Sequence, residues 1–169
     1  MVWRPPAACM RISPATAPQI AEGSVAFVER KFGFRLPYTP ESLILVDALI
    51  DKIRETGAAE EQASGVLSAL GCYVGEVFVR HARASWRSAA EMKMGASCRF
   101  PAVLALPGPT GCDPIEGVFQ RFGGRPSSLA GLYEEVVAGS RGRDGASAAS
   151  DGCGAAGRLP VSRRLIRRP

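Results

Sequence analysis

The residues best able to do chemistry sit together in one run, VLSALGCYVGEVFVRH, residues 66–81. It holds Cys72, Tyr73, Glu76, Arg80 and the chain's only histidine, His81. A cysteine beside a histidine would be an activated nucleophile. A glutamate held among apolar neighbours would be a general acid or base. Arg80 and Arg83 beside it could hold an anion.

Spacing tests each idea. Cys72 and His81 are nine residues apart. On a continuous helix of about 100° per residue they point in roughly opposite directions and cannot meet. His81 could face Cys98 or Cys112 across a core, but nothing in the spacing requires it. With Glu76 set at zero in projection, Val66, Leu67, Leu70, Val74 and Val77 fall on one arc, the core face, with His81 in its middle. His81 is thus expected to be a hydrogen-bonded core residue. Gln62, Ala69, Arg80 and Arg83 cluster around Glu76, which puts Glu76 on the polar pole. The Glu76–Arg80 pair, at i and i+4, reads as a solvated ion pair worth about 0.2–0.5 kcal/mol. The alternative is a polar site with Glu76 as acceptor.

Ser64, Ser68, Gly71 and Gly75 form a third stripe. Glycine inside a helix costs about 1 kcal/mol relative to alanine, so two of them one turn apart imply close packing or a site. Close packing against the helix at residues 40–55, or against strands, is the favoured reading. A groove that admits a small ligand or another protein is the functional one, its residues being Gly71, Tyr73, Gly75, Glu76 and Arg80.

Other chemistry is thin. Asp47 and Asp51 share a helix face, but a divalent cation normally needs three or more ligands, and no further set is spaced for it. No metal and no cofactor is expected. The chain has no G-x-G-x-x-G, Walker loop, G-x-S-x-G or H-E-x-x-H. Five cysteines (Cys9, Cys72, Cys98, Cys112, Cys153) with no C-x-x-C pair argue against zinc or a disulfide framework and for a reducing cytoplasm.

The elements that must position these residues follow from breakers and periodicity. Residues 1–16 are Pro- and Ala-rich and expected to be poorly ordered. Residues 17–32 read as a helix closed by Gly33, with Val25, Val28 and Phe32 on its apolar side. Thr39 and Pro40 read as the cap and first position of a helix reaching Glu55, stopped at Gly57. Leu43, Val46, Leu49, Ile50 and Ile53 are its apolar set. The long helix runs from about residue 59 to 84, so the two form a helical hairpin. Trp86–Ser88, Phe100–Leu106 and Thr110–Cys112 read as strands, the middle one delayed or placed at an edge by Pro101. Asp113-Pro114 opens a helix through Phe122, Gly123-Gly124 breaks it, and Ser127 or Ser128 caps a last helix, Leu129–Ala138. The predicted class is α+β: one domain over 17–138, a helical hairpin packed on a small antiparallel sheet followed by two short helices. A disordered basic tail spans 139–169.

The formal charge of +5 resides in that tail, which holds seven arginines against two aspartates. Residues 1–138 sum to zero, which removes a basic surface for nucleic acid from the body of the protein. Only weak nucleic-acid association through Arg163, Arg164, Arg167 and Arg168 is left, without interleaved aromatics to stack on bases. No apolar run approaches the ~18 residues of a membrane span, and the N-terminus lacks the apolar core of a secretory signal.

Two blocks, Leu70-Gly71-Cys72-Tyr73-Val74-Gly75-Glu76-Val77 and Asp113-Pro114-Ile115 through Phe119 followed by Ser128-Leu129-Ala130 and Leu132-Tyr133, together resemble a family of small uncharacterised bacterial proteins, a domain of unknown function. In that family an L-G-x-Y-x-G-E-V helix precedes short strands and a closing P-[IF]-x-x-V-F-x-R helix. The resemblance covers roughly residues 34–138 and implies a fold rather than an activity. Gly71, Tyr73, Gly75 and Glu76 match its motif, and the Arg-rich tail departs from it. The expected function is a cytoplasmic, non-enzymatic binding or protein-interaction module. The alternative is a small-molecule enzyme using Glu76 as acid or base.

Overall fold

A computed structural model describes residues 12–95, 98–107 and 111–144, with side chains to Ser140. Its architecture is α+β: five helices and one three-stranded antiparallel sheet. Helix α1, Ala17–Phe32, begins after a turn in which the Ser13 and Thr16 hydroxyls bond each other at 2.9 Å. It ends at Gly33, whose φ of 77° is the left-handed conformation that glycine adopts without strain, and whose N–H returns to the Glu29 carbonyl. A single 3-10 turn, Pro40–Ser42, leads into α2, Leu43–Glu55. Thr39 precedes that turn but makes no side-chain cap; its carbonyl instead accepts from the Ser42 amide and hydroxyl.

Helix α3, Glu60–His81, is the axis of the molecule. By length and a mean hydropathy of 1.2 it could cross a membrane, but 67% of that window is buried inside the fold, the position of a core helix. From Gly71 to Phe78 every residue is buried. Its principal neighbours are α1 on one side and α4 on the other, with lesser contact to α2. Arg83, at φ 55°, turns the chain into β1, Ser85–Ser88. Strand β2, Ala102–Ala105, is central, flanked by β1 and by β3, Gly111–Cys112. Register places Trp86 opposite Leu104 and Leu104 opposite Cys112. Pro101 lies just before β2, so a strand that cannot use its missing N–H starts one residue later.

Helix α4, Pro114–Phe122, is opened by the Asp113 side chain, which accepts from the Glu116 amide at 2.9 Å. Helix α5, Leu129–Asp144, is capped by the Ser128 hydroxyl, which accepts from the Gly131 amide. It runs past the expected end at Ala138, so the tail boundary drawn at 139 moves to at least 144; the four terminal arginines lie outside the described residues. Among the described residues no group of three or more metal-ligating side chains assembles around Asp47 and Asp51. Arg121 of α4 bridges them, Nε to Asp47 at 3.1 Å and Nη2 to Asp51 at 2.7 Å, while both Asp47 oxygens accept from the Leu129 amide. One carboxylate pair on α2 thereby fixes α4 and an otherwise unsatisfied helix start of α5.

Candidate functional site

The stripe of small residues on α3 lies against other elements. A Cβ at Gly71 would stand 2.6 Å from Ile115 Cα of α4, closer than side-chain carbons ever approach a backbone. A Cβ at Gly75 would enter the Trp86 indole of β1. The proposed groove along this flank is therefore filled by the molecule's own Ile115 and Trp86. The glycines are there because helix α4 and the indole come too close for any side chain.

The same indole corrects the placement of Glu76. The residue is 7% exposed rather than on a polar pole. Trp86 Nε1 donates to Glu76 Oε1 at 2.9 Å, and Arg80 Nε stands 3.7 Å from Oε2. A buried carboxylate needs such partners, because its desolvation is otherwise prohibitive. The helical projection failed here because α3 is covered all round in its second half, leaving no polar pole to occupy. His81 is displaced in the opposite sense. It is exposed, at the last turn of α3 where the core face has run out, and its Nε2 makes a 2.8 Å hydrogen bond with the Tyr38 carbonyl. Neither Cys98 nor Cys112 is its partner, and burial pushes both thiols up, Cys112 to about 12, which keeps them unreactive thiols.

Tyr73 is the hub that sequence spacing did not single out for this role. It is fully buried, its hydroxyl accepts from the Tyr38 amide at 2.9 Å and shares a 2.6 Å hydrogen bond with Ser42. Its ring stacks on Tyr38, centroids 4.7 Å apart, and the Arg80 guanidinium covers the Tyr38 ring at 3.7 Å. This stack holds Tyr38 at φ 55°, a conformation rarely adopted by bulky residues. Of the residues expected to form a site, Tyr73, Glu76 and Arg80 do come together; Gly71 and Gly75 serve packing beside them. The assembly leaves Glu76 without room for a substrate. It is not among the residues lining the cavities of about 520, 530 and 350 Å³.

The space for a ligand lies on the other side of α3. Helices α1, α2 and α3 diverge around an apolar cleft of about 520 Å³, within the roughly 300–1,000 Å³ of small-molecule sites. Phe27 and Phe32 of α1, Leu49 and Ile53 of α2, and Val66 and Leu70 of α3 form its walls. Lys31 lines it, with its ammonium 5.5 Å from the Phe27 ring and 5.8 Å from the Phe32 ring, and Lys52 stands 5.7 Å over Phe32 from outside the lining. Gln62 and Thr56 are the other polar groups. The signal was present in the sequence as Phe32 and Ile53, on the apolar sides of their helices, and Phe27, flanking that side, but periodicity alone does not separate cleft from core. No protein-family model, no curated protein and no solved structure matches this chain.

Proposed function

We propose that the protein is a non-enzymatic binding module whose cleft between α1, α2 and α3 takes an apolar molecule bearing one anionic group. The carrying observation is the pairing of an apolar, ligand-sized cleft with two lysines at the Phe32 ring and no acidic residue in its lining. An apolar body gains by leaving water, and an anion completes the ammonium groups already held over the aromatic faces.

The test uses the full chain and 8-anilinonaphthalene-1-sulfonate, an apolar body with one anion, displaced by dodecanoate or by dodecylamine. Dodecanoate is expected to displace the dye at least about tenfold more effectively than the amine, a difference of ~1.4 kcal/mol. Val66→Trp, at a half-buried wall position, should remove dye binding while the far-ultraviolet circular dichroism is unchanged. Equal competition by the amine, or dye binding indifferent to Val66→Trp, overturns the reading. Saturation by an amphipathic peptide instead of dodecanoate would transfer the cleft to a protein partner.

The reading carries two companions. A cytoplasmic setting is supported by Cys72, Cys98 and Cys112, none of which is in a disulfide. Kinship with the bacterial family is supported by the burial of all four motif residues, Gly71, Tyr73, Gly75 and Glu76. The acid–base role of Glu76 is the lesser reading, since both oxygens already have protein partners.

A further inference from the structure

A second concave surface is polar, and its charges are not paired with one another. It lies between α1 and the segment 35–38, with a volume of about 530 Å³. Glu22 and Glu29 face it from α1, Arg35 and Arg80 from the opposite side, and Val25 and Leu36 form its apolar floor. Among the described residues Glu22, Glu29 and Arg35 form no ion pair, and Arg80 reaches only Glu76, at 3.7 Å. Arg80 is held on the Tyr38 ring, which also stacks on Tyr73, so its guanidinium is placed by the aromatic pair rather than by an acid across the surface.

The Tyr38 hydroxyl is the second observation. It is buried and has no hydrogen-bond partner, a cost of about 1–3 kcal/mol for a group of this kind. Burial is the main reason its pKa is pushed up to about 12; the charge of Arg80 lowers it and those of Glu22 and Glu76 raise it. At neutral pH the group is a protonated donor between an acid and a guanidinium. Its backbone is strained at φ 55°, yet fixed at both ends, the amide by Tyr73 and the carbonyl by His81. A conformation so over-determined marks a position that must be held, which is the pattern of ligand clamps.

We propose that this surface binds a small zwitterion, an α-amino acid with an apolar side chain. Its carboxylate is received by Arg80, Arg35 and the Tyr38 hydroxyl, its ammonium by Glu22 and Glu29, and its side chain by Val25 and Leu36. A guanidinium stacked on an aromatic ring keeps its in-plane N–H groups for hydrogen bonds, and Arg80, which lines this surface, has only its Nε near Glu76.

The experiment measures binding of L-leucine to the full chain by calorimetry, beside two truncated probes, 4-methylpentanoate, which lacks the ammonium, and isoamylamine, which lacks the carboxylate. Leucine is expected to bind at least about tenfold more tightly than either, ~1.4 kcal/mol or more. Glu22→Gln and Arg35→Gln, both at exposed and unpaired positions, should each weaken leucine about tenfold without moving the melting temperature. Tyr38→Phe keeps the stack and should weaken leucine while leaving stability equal or higher, because the unsatisfied hydroxyl is gone. Val66→Trp, which closes the apolar cleft, should leave leucine binding unchanged, so this site and the cleft stand or fall separately. Equal affinity for 4-methylpentanoate reduces the surface to an anion site and overturns the proposal. So does the absence of leucine binding up to about 10 mM, a free energy of under ~3 kcal/mol, or indifference to Glu22→Gln.

Discussion

The two sides of α3 are built on opposite rules. Toward α4 and β1 the helix offers glycine, and Ile115 and Trp86 fill the space to the point where a single methyl group has no room. Toward α1 and α2 it offers Ala63, Val66 and Leu70, and the helices part around an apolar cleft. Glycine thus marks the closed side, and residues with side chains the open side. The physical reason is that glycine lets backbones approach until no void survives. Phe27, Phe32 and Ile53 are only partly buried and line the cleft at the edge of the core.

The sharpest way to break this contrast is on the closed side. Gly71→Ala puts a methyl 2.6 Å from a backbone atom that cannot move alone. We expect a loss of at least about 3 kcal/mol, the upper range for overpacking, read as a fall in the urea midpoint or failure to fold. Gly23→Ala on α1 has nothing within contact distance. It should be neutral or stabilise by up to ~1 kcal/mol through helix propensity. Equal effects from the two alanines would refute the packing explanation for Gly71.

Next in size is Trp86→Phe. It removes the donor to Glu76 Oε1 and also the outer ring atoms, Cζ2 and Cη2, that fill the space over Gly75. At least about 1–3 kcal/mol should be lost, the cost of leaving a buried acceptor unsatisfied, with the cavity over Gly75 adding to it. Adding Glu76→Gln to Trp86→Phe should recover part of that loss, a coupling measurable by a double-mutant cycle. Purely additive losses would mean that the carboxylate finds other partners.

The smallest effect concerns pH. Asp113 caps α4 through Oδ1, while Oδ2 is buried without a partner; burial chiefly raises the carboxyl's pKa. The folded state therefore keeps a proton that the unfolded chain, titrating near 4, has released. Stability contributed by this group is fully present below about pH 4 and declines as pH rises through the raised folded value, then levels. Asp47 is shifted in the same direction, again chiefly by burial. Asp113→Asn keeps the acceptor for Glu116 and should flatten the pH dependence of the melting temperature in that window. An unchanged slope would show that Asp113 does not titrate differently in the two states.

Local signals were legible where one residue type imposes its own geometry. Gly33 and Gly57 adopt the left-handed backbone expected of helix-ending glycines. Asp113-Pro114 and Ser128 begin the helices they announce. Pro101 delays β2. The set Leu43, Val46, Leu49 and Ile50 is buried as its spacing requires. Projection failed for Glu76 and His81, since a helical wheel assumes one buried and one solvated face. Half of α3 has no solvated face, and its last turn has no core to meet. Spacing showed Asp47 and Asp51 on one helix face but not their partner, Arg121, which is more than sixty residues away in sequence and is brought to them only by the registers of α2 and α4.

By itself the sequence determined the class, the order and most boundaries of the elements. It also established that two glycines on one face of α3 need a close neighbour. These are consequences of backbone conformation and hydrophobic period, which act over a few residues. Only the tertiary structure decided which neighbours those were. Trp86 reaches Gly75 and Glu76 because β1 folds back along α3. Ile115 reaches Gly71 because α4 crosses it. Packing between distant segments has no local period to announce it, so the flank read first as close packing is indeed closed, though by α4 and β1, and the cleft opens on the side that read only as core.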